Sequence, residues 1–132
     1  MSATTTQYSN IPLDVRFRLS ALWVSTMFIY AYVDIFSLMR ADHLESLLDG
    51  KISGTSFEVN QLFLTLTVIY ILPASLMVYF SVALAPKVNR IANIVVASIY
   101  MVTVALACIG EDWIYFLLGS AVEVVLFALI IL

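Results

Sequence analysis

One cysteine, one histidine and six lysines and arginines are all that this 132-residue chain holds of the side chains that most often carry chemistry or grip nucleic acid. The lone thiol, Cys108, excludes an internal disulfide. It lies in an apolar run, where a cysteine acts as a small packing residue. The lone histidine, His43, stands beside Asp42 and Glu45. That is too few ligands for a metal centre, which takes several in fixed geometry. No apolar run contains a histidine, so haem ligation from within one is excluded. The basic residues form no cluster of the kind that binds nucleic acid. No Ser-His-Asp set, phosphate loop or CxxC is present. No catalytic residue is assigned, and neither a cofactor nor a metal is expected.

Charge is scarce too, at 11% of residues against 63% hydrophobic. A soluble domain has roughly half its residues apolar and a quarter charged. This composition fits a single integral membrane domain over 1–132. A bilayer core needs about 20 apolar residues per helix, and four stretches supply them: about 19–39, 59–85, 91–109 and 113–132. The first of these is too long for the core of a cleaved signal peptide, which takes ~7–15 residues.

The joints follow from local chemistry. "APKVNR" (85–90) separates the second run from the third, and Pro86 suits a helix terminus. "GED" (110–112) separates the third from the fourth. Both loops are short, so successive helices pack antiparallel. In the longer first connection, Leu44, Leu47 and Leu48 recur at helical spacing between Asp42, Glu45 and Asp49. This predicts a short amphipathic helix in the membrane interface, stopped at Gly50. The expected fold is all-α: a four-helix up-down membrane bundle with that interfacial helix between spans one and two.

Lysines and arginines set the orientation. Arg16, Arg18, Lys87 and Arg90 lie on one side, Arg40 and Lys51 on the other. Both termini are therefore expected in the cytoplasm, with Tyr8 to Asp14 a lead-in and Met1 to Thr6 a disordered tail.

Asp34 and Glu123 are the acids placed inside spans. A charge at the bilayer centre costs about 2.5–3.5 kcal/mol, so such groups turn inward, pair or hold a proton. Glu123 lies ten residues beyond Trp113, roughly 15 Å at the helical rise, which is the midplane. Tyr30, Tyr70 and Tyr100 fall near that depth on the other spans, and their hydroxyls are expected to hold the Glu123 carboxyl. Asp34, Gln61 and Glu58 form an outer polar layer. Glu58 also reads as a solvated acid near a helix start. Helical phase groups Trp23, Thr26, Tyr30, Asp34 and Ser37 on span one. It groups Glu58, Gln61 and Thr65 on span two, Asn93, Ala97, Tyr100 and Thr103 on span three, and Phe116, Ser120, Glu123 and Phe127 on span four. Pro73 removes one backbone bond within span two, leaving the Ile69 carbonyl free. It is a static kink or a hinge. The acids admit a plainer reading as interhelical glue, at ~0.6 kcal/mol per bond.

The stretches "DVRFRLSALWVSTMFIYAYVDIFSLM", "LPASLMVYFSVALAPKVNRIANI" and "YFLLGSAVE" resemble a family of small bacterial four-span membrane proteins classed as a domain of unknown function. "YAYVD", "NRIANI" and the fourth-span glutamate are its most specific elements. The resemblance implies a bacterial inner-membrane location and an architecture, with no activity. Family members usually carry a polar or basic tail after the fourth span; this sequence stops at Leu132 without one, so the tail is either trimmed or lacking. The architecture is also similar to that of small multidrug-resistance transporters. Their embedded glutamate lies in the first span, so the likeness does not extend to the motif.

The functional expectation is proton-linked permeation of a small solute. Glu123 exchanges the proton, and Asp34 with Gln61 lines a polar vestibule. Tyr30, Tyr70 and Tyr100 support the acid, and Pro73 is the hinge candidate. The partners expected are membrane lipid and a homo-oligomer or larger membrane complex. The alternatives are an accessory subunit or lipid-binding protein and, from a third class, an enzyme acting on a lipid or quinone.

Overall fold

The first helix starts earlier than the hydropathy does. Asp14 accepts a hydrogen bond from the Arg16 backbone N–H at 2.9 Å, which satisfies one of the orphan donors of the first turn. Arg16 and Arg18 are therefore helical, and α1 runs Val15–Ser37. A computed structural model describes residues 13–55 and 57–132; the expected lead-in and tail, up to residue 12, lie outside them. The remaining helices are α2 (Ala41–Leu48), α3 (Gln61–Ala83), α4 (Pro86–Ala107) and α5 (Ile114–Ile131). Four of the five are long and apolar enough to cross a membrane.

The amphipathic segment forms α2 as expected. Leu44 and Leu48 are exposed on it, free to rest against lipid. It ends in a Schellman closure: the Gly50 N–H donates to the Leu47 carbonyl and the Lys51 N–H to the Ser46 carbonyl. Gly50 has a φ of 72°, a left-handed conformation that glycine adopts without penalty. The chain then folds back on itself, pairing Lys51 with Glu58 in an isolated antiparallel bridge. Pro86 is not a loop residue. It begins α4, where its missing N–H would have had no partner anyway, so only Leu84 and Ala85 join α3 to α4.

α1 packs against α3 and α5, α4 packs against α5, and the α3–α4 seam is thinner than these three. The interior is more polar than the perimeter. Phe28, Leu62 and Leu118 face outward. Thr26, Ser81, Asn89, Asn93, Ser120 and Glu123 are buried beside Trp23, Met77, Tyr100 and Phe127. Lipid chains are as apolar as leucine, so helices gain by turning small and polar residues toward one another.

Gly119 shows how closely α1 and α5 approach. A Cβ added there would collide with the Val33 side chain, and valine has essentially one rotamer on a helix. Ordinarily Gly→Ala within a helix gains about 1 kcal/mol. Here overpacking of about 1–3 kcal/mol opposes it. Gly119→Ala is expected to lower thermal stability in detergent, whereas a lipid-facing glycine would show a gain.

Candidate functional site

Each span sends polar or aromatic side chains into one partly open cavity of about 160 Å³. A single water needs only about 10–15 Å³ on the same scale. Tyr30 and Asp34 come from α1, Tyr70 from α3, Thr103 from α4, and Ser120 and Glu123 from α5. Asp34 is exposed at the rim. Glu123 is deep, with only 3% of its surface exposed. The two acids assigned by depth to separate layers therefore share a single space.

The expected tyrosine cage does not form. The Tyr70 hydroxyl lies 2.5 Å from Thr103 Oγ1, and the Tyr100 hydroxyl donates to the Tyr70 carbonyl. Tyr100 faces the aromatic core rather than the cavity, with its ring centroid 6.4 Å from Trp23 and 6.1 Å from Phe127. Glu123 Oε1 is buried and, among the described residues, has no hydrogen-bond partner. These two hydroxyls are instead engaged by partners on α4 and α3.

Three of the four helical faces read from sequence are those the fold turns inward, in whole or large part; the α3 face is not. Gln61 and Thr65 are exposed, and the Thr65 hydroxyl bonds back to the Gln61 carbonyl. Near a membrane surface such groups find water and need no protein partner. α3 instead turns Ala74, Met77 and Ser81 inward, with Tyr70 half-buried above them. Gln61 is thus not among the residues that border the cavity with Asp34. A groove of about 580 Å³ holds Glu58, Asn60, Phe57 and Phe63 instead. Tyr30 and Tyr70 line both spaces and stand between them. Pro73 is exposed inside a helix that continues through it.

Beyond Glu123, away from α2, the bundle is closed. The next void is about 10 Å³ and is bordered by Tyr100 and Phe127; these two rings and Trp23 pack edge to face or tilted against one another.

Two polar networks brace the site, the first of them buried. In the first, Trp23 Nε1 donates to Asn93 Oδ1 at 2.7 Å, tying α1 to α4. Ser81 of α3 donates to the same oxygen, and Asn93 Nδ2 donates to Asn89. The stripe on span three begins at Asn93 and leaves out Asn89, whose signal in the sequence is the i, i+4 spacing of the two asparagines within "NRIANI". With ~0.6 to 1.7 kcal/mol per interhelical bond, Asn93→Ala is expected to cost about 1–3 kcal/mol, read as a lower melting temperature in detergent. In the second network Arg40, 9% exposed, donates to both Asp42 and Glu111. Its guanidinium lies 4.4 Å from the centre of the Trp113 ring. Sequence used Arg40 only to set orientation, because its partner Glu111 is 71 residues away.

Among the described residues, no three of the histidine, cysteine, aspartate and glutamate side chains gather where they could hold a metal. Fold and site together define a four-span helical membrane protein with an acid-lined cavity that is closed at one end. The chain belongs to the family of unknown function DUF6326, whose model matches residues 13–132. No curated protein and no solved structure matches it.

Proposed function

We propose that the protein moves a small cation across the membrane in exchange for a proton carried by Glu123. The observation that carries this reading is the Glu123 carboxyl. It is buried, its Oε1 lacks a partner among the described residues, and it borders a cavity shared with Asp34. An ionised carboxylate cannot remain so placed without a counter-charge. Two states satisfy it: a proton on the acid, or a cation in the cavity. Entry of one displaces the other, which couples the two fluxes. Asp34 at the rim concentrates cations at the entrance. Tyr30 and Tyr70 are the side chains that must shift for the groove and the cavity to join.

The distribution of lysine and arginine supports a topology with both termini cytoplasmic and α2 on the opposite side. The setting proposed is a bacterial inner membrane. Four helices enclose little space, so a second copy of the chain is the proposed means of completing a path beyond the closed end.

The rival is a structural or accessory subunit, for which the two polar networks speak. Reconstitution into vesicles carrying an internal pH dye separates the two. On addition of sodium, potassium or tetramethylammonium, the wild type is expected to release protons. Glu123→Gln is expected to lower that flux at least tenfold. Equal flux from the two proteins would overturn the proposal.

A further inference from the structure

The face opposite α2 carries a second cavity, which the cation pathway does not use. The ends of α1, α4 and α5 leave a cleft of about 1040 Å³. Arg16, Arg18 and Arg90 line it, above walls that include Leu22, Ile94 and Leu129. Among the described residues, the ion pairs found are those of Arg40 alone. The three arginines therefore converge on one space with no carboxylate paired to them. Asp14, the acid on the same rim, accepts from the Arg16 backbone N–H and caps α1.

We propose that this cleft seats one anionic phospholipid, its phosphate among Arg16, Arg18 and Arg90 and an acyl chain along the Leu22, Ile94 and Leu129 wall. Guanidinium groups offer planar, two-pronged donors that match phosphate oxygens. Basic pockets between membrane helices take anionic headgroups. A free phosphate ion would leave the apolar wall bare and fill a small part of the volume. The general preference for basic residues on the cytoplasmic side explains why arginines occur on this face. It does not explain their convergence on a cleft. Lys87 makes the distinction testable, because it lies at the same end of the bundle, is exposed, and does not line the cleft.

The test uses the full chain purified in detergent and titrated with phosphatidylglycerol, phosphatidylcholine or inorganic phosphate. Native mass spectrometry counts retained lipid, and thermal shift reports stabilisation. The wild type is expected to retain phosphatidylglycerol over phosphatidylcholine. Arg18→Gln and Arg90→Gln, both at exposed positions that folding tolerates, are each expected to weaken retention about fivefold. Lys87→Gln is expected to leave it unchanged. Equal retention of the two lipids, a phosphate effect as large as the lipid's, or a Lys87→Gln loss matching the arginine variants would overturn the proposal. None of these outcomes depends on cation transport.

Discussion

Glu123→Leu is expected to raise the melting temperature of the purified protein while abolishing cation-driven proton release. Leucine fills a similar volume and carries no polar atom. A buried polar group without a partner costs about 1–3 kcal/mol, and Glu123 Oε1 is such a group among the described residues. Its removal should return a gain of that order, since Ser120 and Thr103 in the same cavity wall do not depend on the carboxyl. Sites that sacrifice stability for activity behave this way. The alternative makes the opposite prediction. If Glu123 is glue between helices, Glu123→Leu and Glu123→Gln both lower the melting temperature, by the ~0.6 kcal/mol or more that each lost bond contributes. Thermal shift on the two variants, alongside the vesicle assay, therefore reads stability and transport separately. A fall in melting temperature with flux preserved would end the case for Glu123 as the exchanging acid.

Arg40→Gln is expected to be the most destabilising single change outside the spans, by about 2–3 kcal/mol. Removing one partner of a buried ion pair costs about 3–5 kcal/mol. That figure is lowered here because Asp42 is half exposed and Glu111 is 18% exposed, and solvent screens what remains. The loss of the cation over Trp113 adds to it. The effect should also depend on pH. Hydrogen bonding from Arg40 holds the Asp42 carboxyl below its ordinary range. For Glu111, burial pushes upward, but the Trp113 backbone N–H and Arg40 together outweigh it, and the net shift is downward. Carboxyls lowered in the folded state contribute stability that is complete above their unfolded value, about 4. That stability drains away as pH falls through this value toward the lower folded one. The wild type should therefore lose more melting temperature between pH 7 and pH 3.5 than Arg40→Gln does. Parallel losses would show that the cluster does not hold α2 to the α4–α5 turn.

Much of the architecture could be read directly from the chain. Four apolar runs, a proline and a glycine at the joints, and a leucine stripe among acids suffice for the bundle and for α2. The boundaries moved where capping chemistry overrode hydropathy, at Asp14 and Pro86. The candidate site was half legible. Periodicity placed Glu123, Ser120 and Phe127 inward, and with them Trp23, Thr26 and Asn93. It failed for Gln61, because near a membrane surface water satisfies a polar stripe as well as a protein partner does. It failed also for the tyrosines. Depth says which rings lie level with an acid, but not which acceptor each hydroxyl reaches first.

The sequence alone determined that the chain crosses a membrane and that two acids must be sheltered from hydrocarbon, because the transfer cost of a charge is a property of the residue and its span. Only the tertiary structure decided that both acids border one cavity, that Arg40 joins Glu111, and that Asn93 ties three helices together. Those pairings join residues far apart in the chain, and helix rotation and packing, to which no local pattern is sensitive, fix which partner each side chain meets.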